Sequence, residues 1–585
     1  MLASWTSWLV VASTLVSVTT CISTVPLNKR QSTEGIVTGI DSRDQNGNPF
    51  LRLEVRDMQA NFPDQWNLYL IALDQLHTTD EDSPSSYYGL AKIHGRPYKT
   101  VLDAPGIPHK IGSTGYCPHS MALFLGWHRP YLALFEQKLY ARIQILATHA
   151  PEDQRERYQW AAYSFRIPYW DWSLGDGSGD VPRFFVTETT VVFTPEGRNI
   201  EIWNPLYAYT FKSIPDGFED KFRQMNRTVR WPASESPWEN SRQNEFIASF
   251  ANLRRQIQDQ VAVAFRRTNF NGFWEAIEQV HGGHMWPLEY SSYEPLFWLH
   301  HANVDRLFAL WQAQNPGVHL QRTNVGSAGN VFVEDNDVVD GDTPLLPFRR
   351  NPGSFWTTNE AMDWRLFGYD YTETRASGSA SAGATVAQMY SGSTRGRLTA
   401  THTGSVTHHS VFDADEVEYT DWMINTSAAP LNLPSTFLVQ FSLVGDFSSD
   451  ASSNVGMWSV MLPTGHDKAK RLIHEVELLS ERAIVDDMTL HGTVSLTSSL
   501  LDQIEAGNLR SLEDKDVVPF LKEKLSWKIY GGDGTQLPDS SLDSIRIDIA
   551  SETAHIPSDP NAPIAYSNAT TAHSEVTAGK MGGAN

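Results

Sequence analysis

Cysteine is almost absent from the chain. Only Cys21 and Cys117 occur in 585 residues, which excludes a disulfide-knit scaffold. Long apolar runs are missing as well. None approaches the ~20 residues that cross a bilayer as a helix, so the sequence does not read as an integral membrane protein. Positive charge is scarce: 46 Lys and Arg face 68 Asp and Glu, a formal net charge of −22. An acidic chain repels phosphate backbones, which sets general nucleic-acid binding aside. Charged residues make up only 19% against 41% hydrophobic ones, with 19 Trp. That composition excludes wholesale disorder and can bury large cores. Single cores stop growing near ~250–300 residues, so at least two domains are expected. No internal repeat is visible.

The N-terminus carries an address. Residues 1–23 read as a secretory signal, with an apolar stretch from Trp8 to Val18 and small residues after it, although Lys and Arg are missing from its start. A short propeptide over 24–30 would end at the dibasic pair Lys29-Arg30. The sequons at Asn226, Asn425 and Asn568 fit a secreted glycoprotein, extracellular or in a cell wall. Loss of Cys21 with the signal would leave Cys117 as a lone thiol, which calls for an explanation.

Apolar spacing predicts helices over 63–76, 130–146, 245–265 and 301–313, with Pro130 placed in a first turn. The composition changes near residue 372. Residues 373–396 are small and polar, as in a flexible linker. Beyond them, β-type runs at 437–444, 457–462 and 525–530 predict a β-rich, sandwich-like domain over 397–560. The tail from 561 to 585 reads as disordered. The fold class is therefore mainly α, a helical first domain followed by a β-rich second one.

Histidine is clustered, and none of the 19 lies between His149 and His281. His94, His119 and His128 form one group, each beside Gly, Pro or an aromatic residue. His281, His284 and the pair His300-His301 form another. Histidines three or four apart share a helix face and can grip one metal from one strut, and His301 is read as opening the next helix. Two such groups on neighbouring helices imply a dinuclear centre in a bundle core. No carboxylate accompanies the candidate ligands, which favours redox copper over hydrolytic dimetal chemistry.

The segments RLEVRDM, QWNLYLIALDQL, YYGLAKIHGRPY, CPHS, GWHRPYLALFEQ, EPLFWLHHANVDRLFALWQ and GYDY resemble those of fungal tyrosinases, in the type 3 copper family with catechol oxidases and haemocyanins. The likeness spans roughly residues 36–372, which sets the di-copper domain at 31–372. It implies a four-helix-bundle centre with His94, His119 and His128 on one copper (CuA) and His301 on the other (CuB). His281 matches the first CuB ligand, and Glu278 the glutamate that orients an active-site water. Cys117 matches a cysteine that forms a thioether to the ligand at His119. Phe124 and Phe297 match aromatics that hold the imidazoles, beside His300. Asp305 and Arg306 read as a structural buried ion pair, and Tyr369 and Tyr371 as the Tyr-x-Tyr that closes the catalytic domain. The implied activity is oxidation of tyrosine-, DOPA- or catechol-like phenols by O2 with two copper ions. It leads through o-quinones to melanin-type pigment. A C-terminal cover removed by an activating protease would make the chain a latent proenzyme.

The pattern departs in one place. VHGGHM lacks the stretch that carries the family's second CuB histidine. Either His284 stands in as the third ligand, or the CuB set is incomplete. Gly282 occupies a position where the family often has an Asn linked with phenol deprotonation, which leans toward diphenol oxidation. Three alternatives stand beside the leading reading: a catechol oxidase without monophenolase activity, a copper-deficient inactive homologue, and a haemocyanin-like O2 carrier.

Overall fold

The structure is a computed structural model. It describes residues 35–175, 180–230, 236, 238–277, 287–375, 379–390, 394, 397–398, 417–429, 433–443, 454–462, 489–532, 534–557 and 564–584. The expected signal and propeptide, Glu278, His281, Gly282 and His284 lie outside these residues.

Among the helices of the first part are α1 (Pro63–Thr78), α2 (Phe124–Ala147), α3 (Gln243–Phe265), α4 (Leu296–Gln314) and α5 (Ser379–Tyr390). α1 packs on α2, and α2 on α4. Their shared side is nearly continuous apolar sequence, with Leu68, Leu132, Phe135, Leu139, Val304 and Phe308 buried. That wide apolar stripe drives the helices together. α5 lies against both α3 and α4. The start of α4 is fixed by Glu294, whose buried carboxylate accepts the Leu296 N–H at 3.3 Å and pairs with Arg230. A parallel bridge of Phe50–Leu51 with Tyr369–Asp370 closes the part end to end.

The second part is two antiparallel sheets. Strands β1 (Val417–Ala428), β2 (Thr436–Ser442), β3 (Asn454–Met461), β4 (Leu490–Ser495), β5 (Ser526–Gly531), β6 (Ile545–Ile556) and β7 (Ala565–Ala572) order as β4-β1-β6-β7 and β3-β2-β5. Alternation sets the inner faces: Ile545, Ile547 and Ile549 are buried while Arg546 between them is exposed. The sheets approach closely at Gly492, where a Cβ would fall 2.2 Å from the Trp458 indole.

Four expectations are corrected. Pro130 is not in a first turn: α2 begins at Phe124, and Pro130 lies inside it. The burial of Phe124, Leu125 and Trp127 extends the helix upstream of the proline, at the cost of one internal hydrogen bond. His301 does not open its helix, because α4 begins at Leu296. The 373–396 segment is not a plain linker. Its alanines favour α5, and buried Tyr390 receives a hydrogen bond from Arg306 and donates one to Asp171, both 2.9 Å. Nor is the tail a free end. β7 pairs with β6, Ile547 donates to Gly582 O at 2.7 Å and Val576 is buried.

α3 carries the second part. Arg266, just beyond its end, pairs with Asp421 on β1 and Glu552 on β6, and its guanidinium lies 3.5 Å over the Tyr566 ring. Arg255 pairs with Asp502 at 2.6 Å. Between these arginines Asp259 is buried, accepting from Thr394 Oγ1 at 3.2 Å. Burial pushes its carboxyl up to about 6, against the hydrogen bonds from Ser498 and Thr394. The ordinary value in an unfolded chain is about 3.9. The folded form therefore holds its proton more tightly, and this group's stabilising share is full below about 4 and lost as pH rises through about 6. Asp259→Asn should remove that slope. Its melting temperature should exceed the parent's at pH 7 by an amount equivalent to about 3 kcal/mol, with the gap closing by pH 4. Calorimetry across this range checks it, and parallel curves for the two proteins would contradict it.

Candidate metal centre

Three imidazoles meet between the short helix Tyr87–Ala91 and α2. His94 follows that helix, His119 sits in the loop before α2, and His128 is on α2. Their ring centroids are 5.5 Å (His94–His119), 5.6 Å (His94–His128) and 5.5 Å (His119–His128) apart. That near-equilateral triangle points three nitrogens at one centre. Together with Cys117 Sγ, one atom from each residue lies within 4.8 Å of the others, and all four residues are buried.

Burial is what makes the set a ligand set. It lowers His119 to about 3, and lowers His94 and His128 well below the ordinary imidazole value. These rings are neutral across the physiological range, the form in which an imidazole can offer a lone pair to a metal. His128 Nδ1 donates to the Phe124 carbonyl at 2.8 Å, one turn back on α2. That fixes the tautomer and turns Nε2 inward. Among the described residues, His94 makes no ordinary hydrogen bond through either nitrogen, and the Leu288 carbonyl faces it. A buried imidazole left that way is costly without a ligand, and three soft-to-borderline nitrogen donors beside a thiol suit copper.

His301, on α4, faces the triangle. Its ring stacks on His128 at 4.0 Å and 6°, and its Nδ1 has no hydrogen-bond partner among the described residues. His300 turns the other way, its ring 5.5 Å from Trp172. Burial lowers His300 to about 3 and His301 well below the ordinary value. Phe124 lies 4.9 Å from His119 and 4.6 Å from His128. Phe297 lies 4.3 Å from His301 and 4.9 Å from His94. The structure thus brings together His94, Cys117, His119, His128, His301, Phe124 and Phe297. Cys117 Sγ sits 3.5 Å from His128 Nε2, a neighbour that sequence reasoning did not name.

Asp305 and Arg306 are both buried, yet they do not pair with each other. One follows the other on α4, so their side chains diverge by about 100°. Asp305 accepts from Arg129 Nε at 2.6 Å, Arg52 Nη1 at 3.2 Å, Tyr369 Oη at 2.6 Å and Tyr371 Oη at 2.7 Å. Burial pushes its carboxyl up, but the two guanidiniums and two hydroxyls outweigh this and hold it below the ordinary value. Arg306 instead meets Asp171 at 2.8 Å and Glu373. Arg52 and Arg129 carried no signal in one sequence, since their partner is 253 and 176 residues away.

Sequence reading also missed a contact from the second part. Ser120, the neighbour of His119, donates from Oγ to the Met461 carbonyl at the end of β3 at 3.0 Å. Ser120 has φ of 56°, a left-handed conformation uncommon outside glycine. Of the sequons, Asn425 is half-buried in β1 and accepts from Thr493 at 3.2 Å, Asn226 lies half-buried in a loop and Asn568 is on β7.

Comparison with known proteins agrees with this architecture. The family description "Common central domain of tyrosinase" matches residues 84–314, and "Tyrosinase C-terminal domain" matches 421–549. A tyrosinase of Neurospora crassa is 29% identical, over 93% of this chain and 97% of its own length. The structure of recombinant mushroom tyrosinase superposes with a TM-score of 0.73 at 22% identity, covering 92% of this chain and 98% of that one. Holo-protyrosinase from Aspergillus oryzae gives a TM-score of 0.67 at 16% identity, covering 92% and 97%. With both domains matched in order and three histidines converging in the first, the chain belongs to the tyrosinase family.

Proposed function

We propose that the chain is a copper-dependent phenol oxidase, a tyrosinase made as a latent proenzyme. The observation that carries the reading is the buried, neutral triangle of His94, His119 and His128 with His301 stacked against it. The triangle would hold one copper and His301 would contribute to the second. A bound copper pair supplies the redox capacity to reduce O2 while a phenol is converted to an o-diphenol and on to an o-quinone. His281 would be the next second-copper ligand, with His284 standing in as the third or that set left incomplete, and Glu278 would handle the substrate proton. Cys117 would form a thioether with His119, its S–H and an imidazole C–H being lost as two protons and two electrons to O2, which would leave no lone thiol for further oxidation.

The chain's own residues do the preparation. Burial keeps the imidazoles neutral, so no proton competes with the metal between pH 5 and 8. The Phe124 carbonyl orients His128. Phe124 and Phe297 wall the rings and exclude water, which strengthens electrostatic interactions inside the site. Small phenols are the substrates, and the o-quinones polymerise to melanin-type pigment. The protein acts in the secretory pathway or outside the cell. No helix among the described residues is long and apolar enough to cross a membrane.

Latency follows from the second part lying on the site. The Met461 carbonyl receives the Ser120 hydroxyl beside His119, so β3 ends where a ligand loop begins. An activating protease would separate the two parts. Proteolytic removal of residues beyond Tyr390 should raise catechol turnover of the copper-loaded protein severalfold. Equal turnover before and after trimming would contradict latency.

The two neighbouring histidines give a sharper test. His301→Ala should lose copper and abolish catechol turnover. His300→Ala should keep its copper and stay within about a hundredfold of the parent, the range for groups that only support a ligand. Metal analysis beside the oxygen electrode reads both. The reverse pattern would show that α4 presents the other face to the metal.

A further inference from the structure

A path of aromatic rings leaves the histidine triangle. Trp127 lies 4.9 Å from His128 and 6.0 Å from His94. Tyr131 follows at 5.0 Å and Trp298 at 4.9 Å from Tyr131. The Trp298 indole N–H then donates to Tyr87 Oη at 3.1 Å, and the Tyr87 ring lies 4.7 Å from Tyr209. All five side chains are buried.

The polar tips along this path differ in what accepts their hydrogen. Trp127 donates to the Leu346 carbonyl at 2.7 Å, Tyr131 to the Leu90 carbonyl at 2.9 Å and Tyr87 to the Tyr293 carbonyl at 3.2 Å. These are weak bases that cannot keep a proton. Tyr209 at the far end donates instead to a carboxylate, Glu81 Oε1, at 2.6 Å. The same oxygen accepts the Lys212 N–H at 2.9 Å, and Glu81 is half-buried, open to solvent on one side. A tyrosine gives up an electron readily only if its proton has somewhere to go. Burial and the Glu81 charge hold the Tyr209 hydroxyl far above the ordinary phenol value, so it does not ionise by itself, and electron and proton must leave together.

We propose that Tyr209 and Glu81 form a redox-active pair, the outlet of a Trp/Tyr relay that draws oxidising equivalents away from the copper site when no phenol is bound. The proposal rests on the copper-oxidase reading. One electron passes from Tyr209 through Tyr87, Trp298, Tyr131 and Trp127 to the oxidised site, which is reduced by one equivalent. The Tyr209 O–H bond breaks, its proton goes to Glu81, and a neutral tyrosyl radical faces a neutral carboxylic acid. A small reductant from solution, such as a phenol, passes one electron to the radical, Glu81 returns its proton to the Tyr209 oxygen, and the oxidised phenol gives its own proton to water. The histidine ligands are thereby spared oxidation in idle turnover.

The test uses the full copper-loaded chain, with copper content and catechol turnover measured on the same sample. Hydrogen peroxide is added without phenol, and the mixture is freeze-quenched for electron paramagnetic resonance. The parent should show a tyrosyl radical whose splitting narrows when tyrosine is ring-deuterated. Tyr209→Phe should lose that signal, Glu81→Gln should weaken it severalfold, and both should keep the parent's copper and initial turnover. Both should also inactivate in fewer turnovers. A parent that holds copper and oxidises catechol but gives no tyrosyl radical overturns the relay and leaves the oxidase reading intact. So does a radical of equal yield in Tyr209→Phe, or in Glu81→Gln if the first variant fails to fold. A parent without copper overturns both, because the relay then drains nothing.

Discussion

One carboxylate organises the metal centre. Asp305 lies one helical turn beyond His301 on α4, and the arginine it grips most closely, Arg129, is the residue after His128 on α2. Clamping Arg129 to Asp305 sets the register of the two helices. That register lays His128 and His301 face to face at 4.0 Å. The other carboxylate oxygen collects Arg52 and the hydroxyls of Tyr369 and Tyr371, tying both ends of the first part to the same point. Arg52 in turn holds Glu136 through two bonds of 3.1 Å. A buried charge so fully partnered is tolerable, whereas removing one member leaves the others uncompensated, at a cost of about 3–5 kcal/mol.

This arrangement explains which parts of the molecule were legible in the sequence. His94, His119 and His128 stand in short local patterns. Each also enters or follows a helix whose apolar periodicity is plain, so ligand type and spacing could be read together. The helices around 63–76 and 245–265 and the strands around 437–444 and 525–530 were readable for the same reason, since burial imposes a period on the residues themselves. Partners across the fold leave no such trace. Asp305 and Arg306 are adjacent in sequence and opposite in charge, which suggested a pair, but helix geometry sends them to different neighbours. The alanine-rich stretch before Tyr390 looked like a tether because small residues serve both tethers and helices. The buried Tyr390 hydroxyl between Arg306 and Asp171 decides between them. The tail became a strand because β6 offered an edge to pair with.

A second cluster of charges, around Arg306, connects the first part to the second. Arg306 reaches Tyr390 at the end of α5, and α5 packs on both α4 and α3. Arg255 on α3 holds Asp502 in the helix Thr497–Glu505, Arg266 just beyond α3 holds Asp421 on β1, and the end of β3 touches Ser120 beside His119. The cover is thus fastened along α3 and also meets the ligand loop. The proposed latency and the metal-site geometry would be two consequences of one packing scheme.

The claim that most of this depends on is that the Asp305 clamp, and not the histidines alone, builds the copper site. The direct measurement is copper affinity of Asp305→Asn beside the parent, at a temperature where circular dichroism shows both folded. If the clamp sets the helix register, the variant should bind copper about 10–100-fold more weakly while keeping its helical content. A folded Asp305→Asn chain with the parent's copper affinity would contradict the account.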